Sequence, residues 1–168
     1  PGVAVFYEAL HRGLDGDRNP VFYVSSSPWN LYDLLVDFLA HQGIPEGPIT
    51  LRDWDLERSA LGNSRLHGFK DVAIREILDL FPTLPAILIG DTTQRDPEIY
   101  SSVVHEYPER VLAVYVRDVK KTPARRAAVA ELAKAIQEAK SVLVLADDTM
   151  AAAEHAAEQG WIDARSLP

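Results

Sequence analysis

Five short aliphatic runs, each followed by a helical pattern, constrain the fold of this chain more than any other feature. They are Val21–Ser25, Ile49–Trp54, Ala86–Asp91, Val111–Val119 and Val142–Asp147. Runs of this length, bounded by turn residues, read as buried strands. Between them, Pro28–Gln42 follows Ser27 as an N-cap and stops at Gly43. Phe69–Phe81 is closed by Pro82, and Pro97–Tyr107 and Pro123–Ala139 each place proline at the first helical position. Met150–Gln159 follows Thr149 and ends at Gly160, and a helix-like segment, Val3 to Arg12, opens the chain. The alternation predicts an α/β fold: three layers, Rossmann-like, with a mostly parallel sheet and helices on both faces. A length of 168 residues suits one domain with a sizeable core. No repeat, low-complexity tract or linker divides it, so residues 1–168 read as a single domain.

The predicted strands finish in Ser25-Ser26-Ser27, Arg52-Asp53, Asp91, Arg117-Asp118 and Asp147-Asp148. In a parallel sheet all of these reach one edge, where open α/β sheets bind ligands. Capping accounts for Asp53, Asp147 and Asp148. It accounts less well for the serine run. The formal net charge of -8 argues against a nucleic-acid partner. The absence of cysteine excludes disulfides, thiolate metal sites and thiol catalysis, and suits the cytoplasm. No apolar run approaches the length of a transmembrane segment. There is no Walker phosphate loop, no G-x-G-x-x-G after a strand and no G-x-S-x-G. The histidines (His11, His41, His67, His105, His155) lack metal-ligand spacing and read as surface or loop residues.

What remains suits phosphate chemistry. Asp91 closes a strand, and Asp96 precedes Pro97 on the loop that follows. Two carboxylates on one loop can hold a hard cation such as Mg²⁺. Asp96 as a helix cap and Asp91 as a turn residue is the plainer alternative. Ser25, with Ser26 beside it, can donate hydroxyl and backbone N–H groups to a phosphoryl oxygen, aided by the N-terminus of the helix at Pro28. Lys70 stands at the start of a helix, where the dipole does not favour a cation. A phosphate or catalytic carboxylate would explain it; a solvated surface lysine is the alternative.

Four stretches together carry a family resemblance: Val21-Phe22-Tyr23-Val24-Ser25-Ser26-Ser27-Pro28-Trp29-Asn30-Leu31-Tyr32, Leu51-Arg52-Asp53-Trp54, His67-Gly68-Phe69-Lys70, and Ile89-Gly90-Asp91 through Asp96-Pro97-Glu98-Ile99-Tyr100. From Pro1 to about Ile162 the chain resembles the catalytic domain of the Actin-patch-protein type of phosphatidate phosphatase. That family belongs to the haloacid-dehalogenase (HAD) superfamily of Mg²⁺-dependent phosphatases and is a distant relative of the lipins. The resemblance implies a HAD-like fold and puts Ser25 in the phosphate-binding serine position. It puts Lys70 in the lysine position, and Asp91 with Asp96 in the acidic metal motif. The superfamily's first motif, a strand ending in D-x-D-x-T that carries the nucleophile, is not found. Its nearest mimic, Leu145-Ala146-Asp147-Asp148-Thr149, has leucine at the nucleophile position. The chain opens on Pro1-Gly2 without an initiator Met, and the family pattern puts the motif upstream. The first, central strand, between those ending at Ser25 and Asp91, is therefore expected to be missing from this chain, unless another strand occupies its slot.

The implied reaction passes through an aspartyl-phosphate made by the upstream nucleophile. This chain alone is expected to be inactive. The implied substrate is a phosphomonoester, phosphatidate at a membrane surface in the first instance, and the implied placement cytoplasmic and peripheral to the membrane. A non-catalytic lipid- or phosphate-binding module and a phosphatase for a soluble metabolite are the rival readings. The short segment Asp55–Gly68 stands where the superfamily can carry a cap, and Trp54, Leu56 and Leu61 could touch acyl chains there. Arg117, Lys120, Lys121, Arg125 and Arg126 form a basic run that could attract an anionic membrane or headgroup. A solvated helix start is the alternative for that run.

Overall fold

The computed structural model describes residues 2–14, 18–53 and 68–166. The chain falls into two compact units, Pro1–Ala73 with Ala153–Pro168, and Ile74–Ala152. Both are α/β with parallel strands, in keeping with a Rossmann-like fold.

The first unit holds α1 (Val3–Arg12), β1 (Tyr23–Pro28), a 3₁₀ turn (Trp29–Leu31), α2 (Tyr32–His41) and β2 (Ile49–Arg52). It also takes the start of α3 (Phe69–Leu80) and the end of α6 (Thr149–Glu158). Phe6 and Ala9 lie three residues apart on α1, so both turn inward and are buried. Ala73, Ala153, Ala156 and Ile162 are buried in the same unit. β1 and β2 pair in parallel from Tyr23↔Ile49 to Ser25↔Leu51, after which the register shifts and Pro28 meets Arg52.

That shift revises one expectation. A helix beginning at Pro28 behind a Ser27 cap does not form. Pro28 is extended (φ -65, ψ 148), the strand runs through it, and α2 starts only at Tyr32. The cause is local. Ser25 Oγ accepts the Ser27 amide at 3.2 Å and donates to Ser27 Oγ at 3.1 Å. Serine hydroxyls compete for backbone in this way. The three serines therefore sit inside β1, at its irregular end.

The second unit is a strict alternation: β3 (Ala86–Asp91), α4 (Asp96–Glu106), β4 (Val111–Arg117), α5 (Pro123–Glu138) and β5 (Val142–Ala146). The strands are parallel in the order β3-β4-β5. Central β4 is buried on both faces, with Ala113, Val114, Tyr115 and Val116 at 0–2% exposure. Such uninterrupted apolar strands belong to parallel sheets covered by helices. Val103 and Val104 of α4 and Val129 and Ile136 of α5 are likewise buried. Arg110 ties off the end of α3 by donating to the carbonyls of Leu78, Phe81 and Leu84.

β2, β4 and β5 end at Arg52, Arg117 and Ala146, one to two residues short of the predicted ends. Trp54, Leu56, Leu61, His67 and the rest of the Asp55–Gly68 segment except Gly68 lie outside the described residues. Among the described residues no helix is long and apolar enough to cross a membrane.

Candidate active site

The acidic loop is built where β3 turns into α4. Asp91 closes the strand opposite Arg117. Its Oδ1 accepts the Thr93 amide at 2.6 Å and the Thr93 hydroxyl. Asp91 thus shapes the turn, as the plainer reading expected. Asp96 does not behave as that reading had it. The helix begins on Asp96 itself, and Arg95 occupies the cap position without a side-chain cap bond. Asp96 is 5% exposed, and its Oδ2 accepts the Asp91 amide in a long, weak contact of 3.4 Å. The carboxylate is therefore folded back over the strand end, which brings the two aspartates together on one loop.

The fold-back depends on Gly90. A Cβ there would stand 2.6 Å from Asp96 Oδ2 and 2.8 Å from the Tyr100 hydroxyl oxygen. The Tyr100 hydroxyl in turn donates to the Ile89 carbonyl at 2.8 Å. Glycine is required here by close approach.

A polar line, buried at Thr92 and Asp118, fastens the loop to the neighbouring strands. Thr92 is fully buried. Its amide donates to the Arg117 carbonyl at 3.0 Å. Its hydroxyl donates to Asp118 Oδ1 at 3.3 Å and accepts the amides of Val119 and Lys120, both at 2.9 Å. Asp118 is 1% exposed and also receives the Lys121 amide and the Arg126 guanidinium. Burial pushes the Asp118 carboxyl up, but the Lys121 amide, Arg126 and Thr92 outweigh it and hold it below the usual carboxylate range. Arg126 continues to Asp147, beyond β5, at 2.5 Å. Arg125 pairs with Glu98, whose carboxyl is held below its ordinary value by that hydrogen bond. Two members of the basic run are thus engaged with carboxylates, while Arg117, Lys120 and Lys121 are exposed.

Sequence reasoning missed this line and the Arg125 contacts. One signal was present: arginines at a helix N-terminus sit against the dipole and need anionic partners. Those partners are carboxylates of the same fold.

Among the described residues, no three or more His, Asp or Glu gather within reach of one ion. The acidic loop could offer an ion two carboxylates, those of Asp91 and Asp96. That fits Mg²⁺, which keeps several waters and takes one or two carboxylates plus substrate phosphate.

In the first unit, Ser25 and Ser26 are half-buried in β1, and Lys70, also half-buried, is the second residue of α3. An open hollow of about 470 Å³ is lined by Trp29, Asn30, Tyr32, Asp33, Ile49, Thr50 and Leu51, and no predicted site residue lines it. Among the described residues, three histidines have structural contacts. His11 meets the Asn19 carbonyl, His105 the Ser101 carbonyl, and His155 the edge of Trp161.

Comparison with known proteins adds identity to this geometry. The family model described as Phosphatidate phosphatase APP1, catalytic domain, matches residues 1–118, which takes in the acidic loop, Ser25 and Lys70. Phosphatidate phosphatase APP1 of Saccharomyces cerevisiae is 33% identical over 116 residues, 69% of this chain and 19% of that protein. An uncharacterized protein of Schizosaccharomyces pombe is 32% identical over 106 residues, 59% of this chain and 16% of that protein. The chain thus spans less than a fifth of the length of these relatives. No solved structure matches it significantly. With the family model matched along 118 of its 168 residues, the chain belongs to the family of phosphatidate phosphatase APP1 catalytic domains.

Proposed function

We propose that the protein is a Mg²⁺-dependent phosphomonoester hydrolase acting on phosphatidate through an aspartyl-phosphate, with the nucleophile outside these 168 residues. The observation that carries this is the acidic loop, in which a parallel strand ends on Asp91 and buried Asp96 folds back onto the Asp91 amide. Family membership supports a phosphatidate-like lipid as the substrate. The chain reads as one catalytic domain, and its placement as cytoplasmic and peripheral to the membrane that holds the lipid.

In this reading Asp91 and Asp96 hold the cation. Thr93 engages Oδ1 of Asp91, which orients Oδ2 as the free ligand. When bound, Mg²⁺ neutralises charge on the phosphoryl group. The family resemblance gives Ser25 and Ser26 the role of phosphate hydrogen-bond donors and Lys70 that of a phosphate-binding cation. The nucleophilic carboxylate forms a bond to phosphorus as the bond to the lipid's leaving oxygen breaks. Water then hydrolyses the acyl phosphate and releases inorganic phosphate.

The 168-residue chain should therefore show no turnover of phosphatidate or p-nitrophenyl phosphate. A longer form of the protein that includes the nucleophile should show it. In that form Asp91→Asn should abolish activity and Mg²⁺ binding together. Lys70→Ala should cost about 10²–10³ in rate without unfolding the protein. Full activity and cation affinity in Asp91→Asn would remove the metal assignment. A longer form that binds phosphatidate but never hydrolyses it would favour a non-catalytic lipid-binding module.

A further inference from the structure

Arg125 stands in the first turn of α5, at a helix end whose dipole disfavours a cation. Its side chain nevertheless is only 15% exposed, and the guanidinium is turned back toward the acidic loop. Nε donates to the Thr92 carbonyl at 3.3 Å and Nη2 to the Gln94 carbonyl at 2.9 Å. Nη1 and Nη2 take the two oxygens of Glu98, the latter at 3.0 Å. One planar group therefore grips the start of the loop, its middle, and the first turn of α4. These are the segments between and beside Asp91 and Asp96.

We infer that Arg125 is a positioning residue. By binding two loop carbonyls and Glu98 together, it fixes the loop backbone that presents Asp91 and Asp96 to a divalent cation. The role in cation binding rests on the function proposed above; the hold on the loop does not. Only a planar fork can serve all three partners. Lysine, a point charge on a flexible stem, satisfies one of them at a time. Loss of a partner that orients metal ligands typically costs ten- to a hundredfold in affinity, and about that loss is expected here.

The test uses the full 168-residue chain and three variants, Arg125→Lys, Glu98→Gln and Asp91→Asn. Amide hydrogen exchange of residues 92–96 reads loop order, and Mn²⁺ titration followed by electron paramagnetic resonance reads cation affinity. Arg125→Lys should speed exchange in the loop by about tenfold or more while β4 amides stay protected. It should weaken Mn²⁺ by about ten- to a hundredfold. Glu98→Gln should move both readouts in the same direction, and decides the matter if Arg125→Lys does not fold. Loop exchange and Mn²⁺ affinity unchanged in these variants, with only the thermal midpoint lowered, would overturn the inference and leave Arg125 as a helix-to-helix tie. If wild type binds Mn²⁺ no better than Asp91→Asn while loop exchange still responds, the hold on the loop stands and the metal reading falls.

Discussion

A single methyl group can probe the packing beneath the acidic loop. Gly90→Ala would place a carbon 2.6 Å from the Asp96 carboxylate, so Asp96, Tyr100 or the strand must move. Overpacking of this kind costs about 1–3 kcal/mol. Denaturant titration should show that loss, and Mn²⁺ affinity should drop with it if Asp96 is the group displaced. Thr92 offers a complementary change. Thr92→Val keeps the volume but removes the acceptor of two amides and a donor to buried Asp118. Each buried polar group left unmatched costs about 1–3 kcal/mol. Thr92→Ser keeps the hydroxyl and should recover most of the difference in the same titration. A Thr92→Val protein as stable as wild type would mean that the loop does not depend on that hydroxyl.

At the level of elements, the β3-β4-β5 unit was readable because its strands are uninterrupted aliphatic runs and its helices open on Asp96-Pro97 and Thr122-Pro123. Thr122 caps α5 by accepting the Arg125 amide at 3.3 Å, and Ile136 on the same helix is fully buried. Ile136→Ala should therefore destabilise the protein by about 2–5 kcal/mol, well above the roughly 1 kcal/mol expected of Thr122→Ala. Equal losses, measured by denaturation, would mean that α5 is held by its cap rather than by its packing. Sequence patterns misplaced the end of β1 because Ser25 and Ser27 bond to each other, a choice that apolar periodicity does not register. They pointed to Asp91 and Asp96 and placed Arg125 in a basic run, but not in contact with the acidic loop. A guanidinium that finds its carbonyls some thirty residues upstream leaves no trace in local spacing.

For the whole molecule, the charge pairs set the response to acid. The carboxyls of Glu98 and Asp118 are both held below their ordinary values of 4.5 and 3.8. A depressed carboxyl adds stability that is fully present above its unfolded value and is lost as pH falls through its folded value. The thermal midpoint should thus hold through neutral pH and decline below about pH 4, less steeply in Glu98→Gln than in wild type. An identical acid slope in the two proteins would exclude Glu98 as a contributor. A second consequence concerns where loss-of-function substitutions would fall. Thr92, Asp118, Arg126 and Asp147 form one hydrogen-bonded line across the ends of three strands, running from full burial to open solvent. A random mutagenesis screen should find its hits fading along that line, severe at Asp118, where a buried charge network is broken, and nearly silent at exposed Asp147. Plotted on the linear sequence, hits at Asp118 and Arg126 would look like a second active region. In the folded chain they would be a remote foothold of the Asp91 loop.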